Sequence, residues 1–219
     1  MRLHAHSWVV ALTLICGSAL QAQAPSSQVR QVPMSGKLLQ EVVLPGEKAV
    51  VVVSKRSRPH EVLPPKNTPA VDWMTRISDS VFVVFVQAIE PKLTHDETWI
   101  TSRVTLSVAE VLKDSPVRPI RPGESVSFEQ DGGTLAIDGT MVSAVVPWAR
   151  PVQESRKYLV FAAVDKSTKE LIFDNASSYE ITPTGRLRKL LTAGPHPDQL
   201  EKATEEEVLA RIRAHANMQ

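Results

Sequence analysis

The chain has 219 residues, of which 25 are lysine or arginine and 24 are aspartate or glutamate, so its formal net charge is +1. It has no net positive field to attract nucleic acid, and only 5% of its residues are aromatic and able to stack on bases. The composition therefore argues against nucleic-acid binding, and the length fits one domain with extensions or two small domains.

The first 24 residues have the pattern of a secretory signal peptide. Arg2 supplies a positive charge, residues 8–15 form an apolar run, and small residues follow up to Ala24. The apolar run is too short to span a bilayer, although a retained membrane anchor is the alternative interpretation. We predict cleavage after Ala22 or Ala24 and expect a secreted or periplasmic protein.

The only cysteine, Cys16, lies inside this signal segment. Ile15 precedes it where a lipid-attachment signal needs a small residue, which disfavours a lipoprotein. Removal of the segment takes away Cys16 and Arg2, so a domain of zero net charge without disulfides remains. Such a domain is stabilised by its hydrophobic core alone and has no thiol chemistry. No later stretch approaches the ~18 apolar residues of a membrane span.

Three segments are predicted to precede the main domain. Residues 25–35 are polar and unpatterned, which predicts a disordered leader. Residues 36–56 contain two apolar runs separated by Pro45-Gly46, which predicts a β-hairpin arm. Residues 57–70 contain four prolines and predict an extended linker. The arm is expected either to remain an appendage or to pair with the main sheet.

Residues 71–194 are predicted to form the main domain. A short amphipathic helix ends near Ser78, and the β-branched and aromatic run at 81–86 predicts a strand that is buried on both faces. Residues 99–112 alternate between apolar and polar side chains. The break in this period near Ala109-Glu110 predicts a β-bulge that bends the strand.

Short strands separated by turn signals follow, with no long helix between them. The turn signals are Pro122-Gly123, Gly132-Gly133, Asp138-Gly139 and Thr184-Gly185. This spacing predicts a mainly β fold, a small antiparallel OB-like β-barrel with one helix before it and one after it.

Residues 195–219 are predicted to form the C-terminal helix. Thr204 and Glu207 have the spacing of a capping box, which marks a helix N-terminus. Val208, Leu209 and Ile212 then form an apolar stripe that we expect to dock on the barrel.

The order of these motifs resembles a group of exported bacterial domains of unknown function, and through them the netrin-like barrel of the tissue inhibitors of metalloproteinases. The resemblance covers residues 71 to about 191 and is carried by SDSVFVVFV, a strand ending in EVLK, PGESVSF, a Gly-Gly pair and YLVF. It implies a variant of the OB fold. The inhibitors of that family chelate zinc through a free N-terminal cysteine, so the resemblance does not imply that activity for a processed chain without cysteine.

Candidate catalytic and metal-binding residues are few. His95-Asp96-Glu97 places three potential metal ligands in one loop, but adjacent residues point in different directions and no HExxH spacing is present. We also find no GxSxG motif and no phosphate-binding loop. The sequence therefore predicts no catalytic residue, no cofactor and no metal site, and a solvated loop at 95–97.

Two tryptophans lie outside the interiors of the predicted strands. Trp99 follows a polar loop and Trp148 lies between Pro147 and Pro151. Each either plugs a barrel end, which is the preferred interpretation, or contacts a ligand or partner. Together with His95 they are the candidate contact residues.

The leading functional hypothesis is an exported, non-catalytic binding module that recognises an unknown protein or cell-envelope component through loops at one end of the barrel. One alternative is an extracytoplasmic hydrolase or metal-dependent enzyme that uses the loop at 95–97. A second alternative is a structural envelope protein whose N-terminal hairpin adds a strand to a partner's sheet.

Overall fold

The computed structural model describes residues 29–56, 65, 68–191 and 199–217. The predicted signal peptide (1–24) and most of the predicted linker (57–70) lie outside the described residues. The described chain is mainly β, with two sheets and three α-helices. In chain order its elements are β1 (Arg30–Pro33), α1 (Leu39–Val42), β2 (Ala49–Val53), α2 (Ala70–Ile77), β3 (Ser80–Leu93), β4 (Ile100–Lys113), β5 (Ser125–Asp131), β6 (Gly133–Ile137), β7 (Thr140–Val145), β8 (Lys157–Val164), β9 (Leu171–Ile181), β10 (Leu187–Lys189), a 3₁₀ turn (Gln199–Lys202) and α3 (Glu205–Ala216).

The larger sheet has six antiparallel strands in the order β10-β9-β8-β3-β4-β5. Its outer face packs against α2 and α3 through a core that includes Val83, Phe161, Tyr179 and Ile212. Its inner face encloses a second core, which includes Phe82, Val104, Tyr158 and Val160. Alternate residues of β3 therefore pack into two different cores, which confirms the predicted burial on both faces for residues 81–84 and 86. Phe85 is the exception, because it is 44% exposed.

The smaller sheet has four strands in the order β1-β2-β7-β6. β2 pairs in parallel with both β1 and β7, whereas β6 and β7 form an antiparallel hairpin. Its inner face packs on the end of the β3–β4 hairpin, where Val50, Val142, Trp99 and Ile100 form a third core.

Both flanking helices are confirmed. α2 ends with Ser78 as its C-cap, and α3 begins at a complete capping box. In that box the Thr204 hydroxyl accepts the Glu207 backbone N–H at 3.3 Å and the Glu207 carboxylate accepts the Thr204 N–H at 2.8 Å. The stripe of Val208, Leu209 and Ile212 is buried, so it docks on the sheet as expected.

The β-bulge near Ala109 is also confirmed. Val83 of β3 lies opposite Glu110, but the next residue, Val84, lies opposite Val108. Ala109 is therefore an extra residue without a partner on β3. This bulge interrupts the alternation of buried and exposed side chains along β4, at the position that the sequence pattern predicted.

The predicted β-hairpin at residues 36–56 is wrong. Its first apolar run contains a helical turn, α1, and Pro45-Gly46 lies in the connection from α1 to β2 rather than between two paired strands. β2 instead lies between β1 and β7, because Val50 and Val52 are buried there against Trp99 and Ile100. Both edges of β2 are occupied, so this segment does not offer a free strand to a partner sheet.

Part of the predicted disordered leader is a strand. β1 pairs with β2, and Val32 packs on the third core. Arg30 fixes the strand further, because its guanidinium binds both carboxylate oxygens of Glu47, at 2.5 and 2.8 Å. Residues 25–35 alone do not indicate this ion pair, because its carboxylate, Glu47, lies outside that segment.

The six-stranded sheet is strongly curved but not closed. β5 and β9 approach each other, and the rings of Phe128 and Phe173 stack at a centroid distance of 4.8 Å. Their backbones are not paired over the described residues, and the strand order is linear. The fold is therefore a curved antiparallel sheet with an open seam between β5 and β9.

Candidate functional site

A cleft of about 670 Å³ follows this open seam. One wall is β5 and the other is the start of β9 with the turn before it. We call it the seam cleft and define it by its lining residues: Arg103, Arg118, Ser125, Val126, Ser127, Phe128, Glu129, Lys169, Glu170, Leu171, Ile172 and Phe173.

Among the described residues, no strand pairs with the outer edge of β5, which forms one wall of the cleft. Hydrogen bonds from Val108 N–H to the Glu124 carbonyl (2.9 Å) and from Gly132 N–H to the Ile100 carbonyl (2.9 Å) fix the phase of the β4–β5 ladder. In an antiparallel pair, every second residue turns its N–H and C=O toward the partner strand. The even-numbered residues of β5 therefore bind β4, and Ser127 and Glu129 turn their backbone groups toward the cleft.

The opposite wall is also an uncovered strand edge. β8 accompanies β9 from Leu171 onward, but β10 pairs only with residues 179–181 of β9. The outer edge of residues 171–173 therefore has no neighbouring strand within the described part of the chain. The bond from Asp165 N–H to the Glu170 carbonyl (2.9 Å) fixes the phase of the β8–β9 ladder, so Ile172 binds β8 and the backbone groups of Leu171 and Phe173 face outward.

The floor of the cleft is aromatic. Phe128 and Phe173 stack across the seam with an interplanar angle of 23°, and Phe173 makes an edge contact with Phe82 of the inner core. Aromatic pairs of this geometry contribute about 0.5–1.5 kcal/mol beyond the area they bury. The stack joins the two sheet edges through side chains while their backbones remain unpaired.

One rim of the cleft carries a fixed arginine. The Arg118 guanidinium binds the Glu124 carboxylate at 2.5 Å, and the Arg121 backbone N–H binds its second oxygen at 3.1 Å. The hydrogen bond from Arg118, more than that from Arg121, lowers the pKa of Glu124, against an opposing effect of partial burial. This carboxylate therefore stays ionised and holds Arg118 at the rim.

The other rim is the tight turn from β8 to β9. The Asp165 carboxylate accepts the backbone N–H groups of Ser167 (2.7 Å) and Thr168 (3.1 Å) as well as the Ser167 hydroxyl, and these bonds lower the pKa of Asp165. At the end of the turn, Lys169 has a φ of 60°, in the left-handed region that side chains rarely adopt. The turn places the Lys169 side chain at the cleft.

The charges at the seam cleft are only partly compensated. Glu129 forms an ion pair with Lys92, as Glu124 does with Arg118. Within the described residues, Arg103 and Lys169 have no carboxylate partner, and Glu170 has no cationic partner. The cleft therefore combines an aromatic floor with two unpaired cations and one unpaired carboxylate at its rims.

The three residues singled out from the sequence lie elsewhere. His95 is exposed in the β3–β4 turn. Trp99 is only 1% exposed and belongs to the third core, and Trp148 packs on the same core while its indole N–H donates to the Arg56 carbonyl at 3.2 Å. The two tryptophans thus fill the space between the small sheet and the hairpin end. None of the three residues lines the seam cleft.

The loop at 95–97 is a hydrogen-bonded turn. The Asp96 carboxylate accepts the hydroxyl groups of Thr94 (2.6 Å) and Thr98 (2.9 Å), which lower its pKa. Over the residues that the structure describes, no three histidine, cysteine, aspartate or glutamate side chains group together as metal ligands.

The seam cleft was not predicted from the sequence. The alternation of residues 125–130 indicates a strand, but whether that strand is central or at an edge depends on how the whole sheet curves. The left-handed conformation at residue 169 was likewise not predictable, because the residue there is a lysine and not a glycine or an asparagine. No local signal for the cleft is present in the sequence.

Comparison with protein-family models finds no match, and no curated protein matches the chain either. None of the helices in the described ranges has both the length and the apolar character needed to cross a membrane.

Proposed function

We propose that this chain is an extracytoplasmic, non-catalytic binding module that takes up an extended segment of a partner protein in the seam cleft. The observation that carries the proposal is the unpaired edge of β5, which faces a second unpaired edge across an aromatic floor. Strand edges of this kind bind extended peptides by adding a strand to the sheet.

The geometry of the cleft supports a polypeptide occupant. An added strand forms backbone hydrogen bonds with Ser127 and Glu129, and its side chains alternate between the two faces of the sheet. Side chains on the inner face meet Phe128 and Phe173, which favours apolar residues at every second position. Those on the outer face meet Arg103 and Lys169, which favours acidic residues between them.

The fold and location of this module are part of the proposal. An OB-like barrel left open between β5 and β9, related to the netrin-like domains, agrees with the curved six-stranded sheet and with the motif order of residues 71–191. Export to the periplasm or the outside of the cell rests on the signal-peptide pattern of residues 1–24. The sequence alone favoured the loops at one end of the barrel as the binding site, whereas the site proposed here is a strand edge.

Selection from a displayed library of random linear peptides tests the proposal. The selected peptides are expected to alternate apolar and acidic residues, and a synthetic copy of one of them is then titrated calorimetrically into the exported chain. Ser127→Pro removes the N–H that faces the cleft and spares the backbone hydrogen bonds to β4, and proline is tolerated at such an edge position. It also removes the contact between the Ser127 and Thr105 hydroxyl groups, at 3.4 Å. We expect this variant to bind the peptide at least about tenfold more weakly.

Ser127→Ala is the matched control, since it shortens the same side chain and keeps the backbone N–H. It should bind the peptide with nearly unchanged affinity. Failure to select any peptide, or equal binding by the proline and alanine variants, would overturn strand addition at β5.

A further inference from the structure

Within the described part of the chain, a second free strand edge belongs to the four-stranded sheet and is independent of the seam cleft. β6 is the last strand of that sheet, beside β7. Thr134 and Ala136 are exposed along it, whereas Leu135 is partly buried against the third core.

The hydrogen bonds of β7 show which backbone groups of β6 are unused. Met141 N–H donates to the Lys48 carbonyl at 3.0 Å and the Val145 carbonyl accepts Ser54 N–H at 2.9 Å, so the odd-numbered residues of β7 bind on the β2 side. The even-numbered residues of β7 therefore bind β6, and they lie opposite Gly133, Leu135 and Ile137. The backbone groups of Thr134 and Ala136 face outward, away from β7.

This edge lacks the residues that normally protect an exposed strand. Natural edge strands carry charges or prolines that prevent pairing with other chains. Among the other outermost strands of the two sheets, β1 contains Arg30 and Pro33, and β10 contains Arg188 and Lys189. β6, with the sequence GTLAI, has neither a charge nor a proline.

The adjoining outer face of the sheet is also uncharged. Strand alternation places ten side chains on it, and seven of them are apolar. Met141 and Val145 are 47% and 40% exposed there. The ten are Gln31, Pro33, Ala49, Val51, Val53, Thr134, Ala136, Met141, Ser143 and Val145.

We infer that β6 pairs antiparallel with β6 of a second copy of this chain, so that two four-stranded sheets join into one across a two-fold axis. Pairing centred on Leu135 places Thr134 opposite the partner's Ala136, which uses the outward N–H and C=O groups of both residues.

A second copy is the occupant because the edge is complementary to itself. A two-fold axis brings the residues nearest to it close to their own equivalents, so a charge at the centre of this edge would be repelled by the same charge on its partner. The β6 edge has no such charge. In this register Asp138, the nearest exposed carboxylate beyond the strand, lies opposite the partner's Gly132 and away from the partner's Asp138.

Sedimentation equilibrium of the exported chain, from low micromolar to near millimolar concentration, tests the dimer. We expect a reversible monomer–dimer equilibrium. Ala136→Lys introduces one lysine per copy at the exposed edge and should weaken the dimer at least about tenfold. A chain that stays monomeric over the whole range, or a dimer that tolerates Ala136→Lys, would contradict the inference.

A cysteine at the centre tests the register. Residues directly opposite at a non-hydrogen-bonded antiparallel position have Cα atoms about 4.5 Å apart, within the range that a disulfide spans. In a Cys16→Ser background, Leu135→Cys should oxidise to a covalent dimer, and Val145→Cys, two strands away from the partner, should not. A dimer in which both thiols remain reduced, or in which both cross-link equally, would overturn β6 pairing.

Ser127→Pro separates this inference from the proposed function. It alters the β5 edge, so it should leave the dimer intact while peptide binding is weakened at least about tenfold. Ala136→Lys should have the opposite effect, a monomer that still binds the selected peptide.

Discussion

The Lys113 ammonium group, at the end of β4, donates to the Ser78 carbonyl oxygen at 2.7 Å. It also donates to the Thr75 carbonyl at 2.9 Å, so it caps the C-terminal end of α2. Burial lowers the pKa of Lys113 and the nearby Asp79 opposes that shift. A cation at this end of a helix interacts favourably with carbonyl groups that have no partner within the helix.

Lys113→Met should therefore lower the free energy of unfolding by about 1–2 kcal/mol, because it leaves the last carbonyls of α2 without their donor. Urea denaturation followed by circular dichroism measures the change. Lys55→Met, at an exposed lysine, is the control and should have little effect. Equal stability of the two variants would show that the cap contributes nothing.

The Arg30–Glu47 ion pair should make the stability of the small sheet depend on acid. Hydrogen bonds from Arg30, and then from the Leu44 N–H, lower the pKa of Glu47 from 4.5 to about 2. A carboxylate whose pKa is lower in the folded state contributes stability that is complete above its unfolded pKa and is lost as the pH falls toward the folded value. Melting temperatures measured between pH 5 and 2 should therefore fall less steeply for Glu47→Gln than for the wild type.

Glu41→Gln provides the comparison for that experiment, since Glu41 is an exposed carboxylate on the neighbouring helical turn. A plot of its melting temperature against pH should run parallel to that of the wild type over the same pH window. Parallel curves for Glu47→Gln as well would mean that the ion pair does not stabilise the fold.

Gly133→Ala should destabilise the bend between β5 and β6 by about 2–3 kcal/mol. Gly133 has a φ of 150°, and a Cβ at this position would clash with the Ser102 hydroxyl and approach Ile100 Cγ2 at 3.2 Å. The Ser102 hydroxyl itself is buried and donates to the Gly132 carbonyl at 2.7 Å. Guanidinium denaturation measures the loss.

A double-mutant cycle with Ser102→Ala tests the cause of that loss. Removing the hydroxyl makes room for the new methyl group, so the double variant should be more stable than the sum of the two single effects implies. Strict additivity would assign the whole cost of Gly133→Ala to its backbone conformation.

Lys169→Gly should raise stability by about 1 kcal/mol, because glycine adopts the left-handed conformation at this turn without the steric cost that a side chain carries. It also removes a cation from the rim of the seam cleft, so affinity for acidic peptides should fall while the melting temperature rises. Lys166→Gly, in the same turn but without a positive φ, should not be stabilised. Equal changes in the stability of the two variants would show that the backbone conformation of Lys169 is not strained.

Local chemistry explains which parts of the fold were predictable. The capping box of Thr204 and Glu207 and the bulge at Ala109 depend on residues close together in sequence, and both are present. The partner of β2 is not local, since Ala49 pairs with Met141. The apolar run at 49–53 predicted the strand correctly, but no nearby residue indicated that its neighbours would be β1 and β7.

The candidate site was less predictable for a related reason. Trp99 and Trp148 pack in the third core, where large aromatic side chains near a sheet end usually fill space. The seam cleft depends instead on the curvature of six strands and on the distance between β5 and β9. Neither quantity is encoded in a spacing that a single strand displays.

The parallel pairing of β2 with β7 also constrains when the small sheet can form. β2 lies in the first quarter of the chain, yet β7, one of its two partners, is complete only after Val145 has been synthesised. Until then the amino-terminal region can form no more than the pair of β1 and β2. Pairing of β2 with β7 closes a long loop, so this topology delays completion of the small sheet relative to elements built from local contacts.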